Sequence, residues 1–107
     1  MLMEKMVRSK KKEKEFEKFV KASEMLKAIS YPYRLEILRF LEDEEYHPVY
    51  EIQAYLGIEA TLLSHHLTKM KDKGIIQSYR DGRFIHYKLV QKEMTKILNC
   101  INKCELK

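Results

Sequence analysis

Tryptophan is absent from this chain, and cysteine, proline and glycine are scarce, at two, two and three residues. Cys100 and Cys104, both near the end, cannot form a disulfide framework, so a reducing compartment is expected. With so few breakers there is no low-complexity linker and no repeat. No apolar stretch approaches the roughly 20 residues of a membrane span. The opening Met1-Leu2-Met3-Glu4-Lys5 lacks the apolar run of a signal peptide. The expectation is a cytoplasmic protein with no membrane partner. The 107 residues suffice for one domain, and 45% apolar content gives a modest core of the kind a second subunit often completes.

What is present is charge, unevenly placed. Residues 1–21 hold eight Lys/Arg against four Glu, and residues 61–92 hold seven against two Asp. Residues 22–60 reverse this, with three basic and eight acidic side chains. Positive stretches set apart from an acidic one suit a face that meets a polyanion, although ordinary solvated surface produces the same pattern.

The first fifteen residues read as a charged arm that either frays or extends the next helix. From Phe16 a helical period sets in, with Phe19, Val20 and Leu26 to one side and no breaker before Ile29. Ser30-Tyr31-Pro32 stops that helix and starts another, since proline fits a first turn and Ser30 or Tyr31 can cap it. Leu35, Ile37, Leu38, Phe40 and Leu41 form its broad stripe, and Glu42-Asp43-Glu44-Glu45 is too charged to bury.

Pro48 can open a short third helix ending at Leu56, with Ile52, Tyr55 and Leu56 inward, and Gly57 suits the left-handed residue that closes it. A fourth helix follows, apolar at Leu62, Leu63, Leu67 and Met70, with Ser64, His65, Thr68, Lys69 and Lys71 outside and Gly74 at its end. The period then becomes extended. Residues 75–80 and 83–89 flank Asp81-Gly82, a strong hairpin signal for a type I′ turn. A last helix is expected from about Gln91 to the end, striped by Met94, Ile97, Leu98 and Ile101.

The order helix, helix, helix-turn-helix, hairpin, helix is that of a mainly α winged helix-turn-helix, the hairpin being the wing. Thr61, Ser64 and His65 are short enough to let the fourth helix approach base edges or phosphates, with Lys69 beside them. Arg80, Arg83 and Lys88 are expected around the wing tip, where a phosphate backbone or narrow minor groove would lie.

From about Met25 to Leu89 the chain resembles the arsenic-repressor (ArsR/SmtB) family of bacterial winged-helix regulators. The resemblance rests on residues 26–38 (LKAISYPYRLEIL), Leu56-Gly57-Ile58, Leu63-Ser64-His65-His66-Leu67, Lys73-Gly74-Ile75-Ile76 and residues 81–89 (DGRFIHYKL). It implies a double-stranded DNA operator as partner and a homodimer built from the first and last helices, here Phe16, Phe19 and Val20 with Met94, Ile97, Leu98 and Ile101. It also implies release by an inducer, a small molecule, metal or oxidant. One departure is plain: where the family's recognition helix opens with Ser and Gln, this chain has Glu59 and Ala60. Glu59 suits a helix N-terminus but repels phosphate, so base contacts are expected later in the helix.

The family's sensor sites are not matched. Its Cys-x-Cys site aligns with Pro48-Val49-Tyr50-Glu51-Ile52, which has no thiol, and its zinc-type site in the last helix finds Glu93 but no His. No metal site or cofactor is expected from these. Cys100 and Cys104, four residues apart, would share a helix face, as buried small hydrophobes, a soft-ion site or a thiol switch. His65 and His66 diverge around a helix, His65 toward DNA and His66 toward packing; His47 is expected in solvent and His86 on a hairpin face. Ser64 beside His65 lacks an orienting acid or nucleophile elbow, so no enzyme is expected. Three functions stay open: a sequence-specific repressor, a winged helix binding nucleic acid non-specifically, and a protein-binding winged helix.

Overall fold

The computed structural model describes residues 9–106. Helix α1 spans Lys10–Ile29 and starts at Ser9, whose hydroxyl accepts a hydrogen bond from the Lys12 amide at 3.2 Å. Residues 10–15 therefore extend the helix; residues 1–8 of the expected arm lie outside the described part. Tyr31 caps helix α2, Pro32–Phe40, with Pro32 in its first turn, where no amide is required. An acidic turn leads to a two-residue strand β1, His47–Pro48, then helix α3, Val49–Leu56, and helix α4, Ala60–Asp72. Strands β2, Ile76–Asp81, and β3, Phe84–Leu89, precede a 3-10 turn at Lys92–Met94 and helix α5, Thr95–Lys103.

Between α3 and α4 the chain turns at Gly57, whose φ of 68° is left-handed and whose amide returns to the Gln53 carbonyl at 2.8 Å. The Gln53 side chain donates to the Ile58 carbonyl at 3.1 Å, fixing the short connection. Helix α4 ends similarly, with the Ile75 amide reaching back to the Met70 carbonyl at 3.0 Å. The Ile75 carbonyl in turn accepts from Val90 and Gln91, which fastens the far end of the hairpin to the foot of α4.

All three strands are antiparallel in the order β1-β3-β2. Asp81 pairs with Phe84, so the hairpin loop is Gly82-Arg83 and not the expected Asp81-Gly82. Gly82 has φ of 63° and Arg83 has negative φ. That is the pattern of a type II′ turn, which needs glycine only at its first central position. The core gathers Ile37, Leu38 and Leu41 of the α2 region, Ile52 of α3, Leu63, Leu67 and Met70 of α4, and Ile75, Ile76 and Leu89 of the sheet.

Several expectations shift. Tyr55 and Leu62, placed inward by periodicity, are exposed, and Tyr55 lies against the Phe40 ring at 4.8 Å. Pro48 precedes α3 and belongs to β1, a strand too short for any pattern to reveal. The last helix begins later and ends earlier than expected. Cys104 lies beyond it in extended backbone (φ −83°, ψ 143°), so it and Cys100 do not share a helix face. Both thiols are exposed, which also removes the reading of small buried hydrophobes within the single chain. Leu98 is 5% exposed and serves this chain's own core, because α5 turns it onto α2.

Candidate nucleic-acid interface

Helix α4 has two contrasting faces. Leu63, His66, Leu67 and Met70 are buried; Thr61, Ser64, His65, Thr68 and Lys69 are exposed. The helical repeat puts positions 61, 64, 65, 68 and 69 on one side, and together with Ala60 they line a single open depression. Four expected contact residues of this helix thus come together, and the same geometry adds Ala60 and Thr68. Small side chains at 60, 61, 64 and 68 let the backbone come close to a groove floor. Glu59 is the N-cap residue without a side-chain capping bond, so its carboxylate is not held by the helix start.

The buried face is held by a polar clamp as well as by packing. Arg34, 5% exposed, donates from Nε to His66 Nδ1 at 2.9 Å and from Nη1 to the Ala28 carbonyl at 2.9 Å. Its guanidinium lies 4.0 Å from the centre of the Tyr31 ring, and Tyr33 meets His66 edge-on at 5.8 Å. To accept from Arg34, His66 must be neutral with its proton on Nε2. Burial lowers the His66 pKa, and the nearby Arg34 and His65 lower it further. One side chain of α2 therefore joins α1 to the middle of α4. A buried arginine was not legible in the sequence, since nothing in the period separates Arg34 from a solvated residue.

On the wing, Arg83 occupies the turn, 5.7 Å from the Phe84 ring, and Arg80 is exposed one position before the strand end. Lys88 is not at the tip. It pairs with Gln77 toward the base of the hairpin, half-buried, with its ammonium 5.5 Å from the Tyr46 ring. An aromatic cluster that periodicity did not reveal stiffens the outer face. Tyr79 stacks on His86 at 4.8 Å and meets Tyr46 edge-on at 4.7 Å, and Gln77 donates to the Tyr46 hydroxyl at 2.7 Å.

His47 is not free in solvent. Its Nε2 lies 2.8 Å from Asp43 and its Nδ1 3.0 Å from Glu51, and its ring packs on Phe40 at 4.8 Å. Burial would lower its pKa, but hydrogen bonds to Glu51 and Asp43 and their charges outweigh that and raise it. When protonated, His47 can donate to both carboxylates and so tie the acidic turn to the first turn of α3. Among the described residues no group of three His, Cys, Asp or Glu side chains is arranged to hold a metal ion, and no helix is long and apolar enough to cross a membrane.

The bacterial regulatory protein arsR family model matches residues 32–78. The transcriptional regulator YgaV of Escherichia coli is 35% identical over 77 residues, covering 72% of this chain and 78% of that protein. The transcriptional repressor SdpR of Bacillus subtilis is 35% identical over 83 residues, covering 74% and 91%. Among solved structures, reduced HlyU from Vibrio cholerae superposes with a TM-score of 0.75 at 26% identity, over 85% of this chain and 98% of that one. With the polar face of α4, the wing beside it and these similarities, the chain belongs to the arsR family of bacterial regulatory proteins.

Proposed function

We propose that this protein is a sequence-specific transcriptional repressor that grips operator DNA with α4 and the wing, acts as a homodimer in the cytoplasm, and has no catalytic role. The observation that carries the reading is the polar, small-residue face of α4, exposed while its opposite face is fully buried. Thr61, Ser64 and His65 read base edges, Lys69, Arg80 and Arg83 contact phosphates, and Lys88 supports the wing from its base. Residues 16–107 act as one unit with the charged arm ahead of them. The second copy covers the exposed apolar residues of α1, among them Phe19 at 60% and Val20 at 43% exposure, together with Met94, Ile97 and Ile101 of the last helical region. Two α4 helices then sit about 34 Å apart, one DNA turn.

An inducer that loosens this pairing would release DNA. Exposed Cys100 and Cys104 remain the candidates for thiol modification. A soft ion would need further ligands, from the second copy or from solution, because the two thiols stand on different backbone segments.

Fluorescence anisotropy on duplex DNA tests the assignment. Arg83→Ala should weaken all sequences alike and lower the slope of log K against log salt by about 0.9. Ser64→Ala and His65→Ala should instead alter which sequence is preferred, by about 1–3 kcal/mol. Unchanged binding in all three folded variants would remove α4 and the wing from the mechanism.

A further inference from the structure

A second surface lies behind the DNA-facing side of α4, where the C-terminal ends of α1 and α4 converge. Glu24, Lys27 and Ala28 of α1, Arg34 of α2, Lys69 of α4 and Lys73 at its end line a cavity of about 330 Å³. Four cations face it against one carboxylate, and Glu24 is only loosely engaged, 3.9 Å from the Lys73 ammonium. Helix C-termini carry roughly half a negative charge each, which offsets part of that charge, but four cations against one carboxylate still leave the wall positive. The volume falls at the lower end of the range for small-molecule sites, roughly 300–1,000 Å³.

Arg34 distinguishes this place from a chance gathering of lysines. Its guanidinium is fixed by bonds from Nε and Nη1 to His66 and Ala28, while Nη2 has no hydrogen-bond partner among the described residues. No fully buried side-chain nitrogen among the described residues lacks a partner, so Nη2 keeps some solvent contact although Arg34 as a whole is buried. An immobile guanidinium with a spare donor, ringed by mobile ammoniums, is suited to an oxyanion, which accepts several charge-assisted hydrogen bonds at once.

We propose that this cavity is a phosphate-binding site, filled either by the phosphoryl group of a small molecule or by a DNA backbone phosphate. This goes beyond operator reading and stands without it, since the pocket is separate from the depression on the exposed face of α4. Lys69 lines both. A free phosphoryl compound would draw that ammonium away from DNA, whereas a backbone phosphate would use it to extend the footprint.

Titration with inorganic pyrophosphate at constant ionic strength, followed by amide chemical shifts, tests the site. Saturable shifts are expected in segments 24–34 and 69–74. The Lys27→Gln/Lys73→Gln double variant removes exposed side chains and should stay folded while weakening pyrophosphate by at least about tenfold. Glu24→Gln, which removes the opposing carboxylate, should tighten it, an effect that loss of fold cannot imitate. On duplex DNA, a backbone-phosphate occupant predicts that the double variant lowers the salt slope by up to about two units, and that pyrophosphate competes through this site. A small-molecule occupant predicts an unchanged slope. Non-saturating shifts spread over the surface lysines and equal in all three proteins would overturn the proposal, whatever the variants do to operator preference.

Discussion

Helices α1 and α4 are both long and amphipathic, yet the chain treats them oppositely. Helix α4 buries Leu63, Leu67 and Met70 in the core shared with Ile37, Leu38, Ile52 and the sheet, and even its one buried polar residue, His66, has a partner. Helix α1, with 20 residues, buries only Ala28 and Ile29 and leaves Phe16, Phe19, Val20 and Leu26 exposed. A helix completed by its own chain is held rigidly, and that suits the role proposed for α4, holding side chains in register with bases. A helix left incomplete has stability to gain from a second copy, and that suits the role proposed for α1, setting the spacing between two α4 helices.

The contrast breaks most visibly under substitution. Leu67→Ala in α4 should cost about 2–5 kcal/mol of folding stability, since a buried leucine leaves a cavity. Phe19→Asp in α1 should leave the single chain folded but give monomers by sedimentation, and affinity for a palindromic site should fall roughly 10²–10⁴-fold as bivalent binding is lost. A Phe19→Asp protein that stays dimeric, or that unfolds as Leu67→Ala does, would erase the distinction.

Arg34 is the buried polar link between the two helices, beside the looser surface contact of Glu24 with Lys73. Arg34→Ala strands the Ala28 carbonyl and His66 Nδ1, and should lower stability by roughly 3 kcal/mol in chemical denaturation. A loss near zero would mean that packing alone seats α4.

A smaller effect separates His66 from His47. The unfolded reference for both is 6.5. His66 is held below that value, so the unfolded chain takes up a proton the folded chain refuses, and stability should decline as pH falls below about 6.5. His47 is held above it, so its contribution is complete below 6.5 and is lost as pH rises through its folded value. Thermal melts should therefore show His66→Gln flattening the acid flank and His47→Gln flattening the flank just above 6.5. Identical profiles in both variants would contradict shifts in opposite directions.

The sequence signals that succeeded were those with a local physical cause. Gly57 and Gly74 ended helices because their backbone must reverse there, and Pro32 opened one because its first turn needs no amide. The Asp-Gly pair located the hairpin but misplaced the turn by one residue, since register is decided by pairing to β1 and by the fastening of Val90 and Gln91 to Ile75. Features created by distant neighbours were hidden: burial of Arg34, the pairing of His47 with two carboxylates, Lys88 at the hairpin base, and Cys104 falling past the helix. The exposed side of α4 was legible because alternation around one helix needs no knowledge of the rest of the chain.

The most direct measurement is selection of bound duplexes from a random-sequence pool by the purified protein, followed by sequencing. The expected result is a two-fold symmetric motif with half-sites about 10 base pairs apart, whose preferred bases change in Ser64→Ala and His65→Ala but not in Arg83→Ala. Recovery of sequences no different from the starting pool, or a preference untouched by the α4 substitutions, would contradict operator reading by α4.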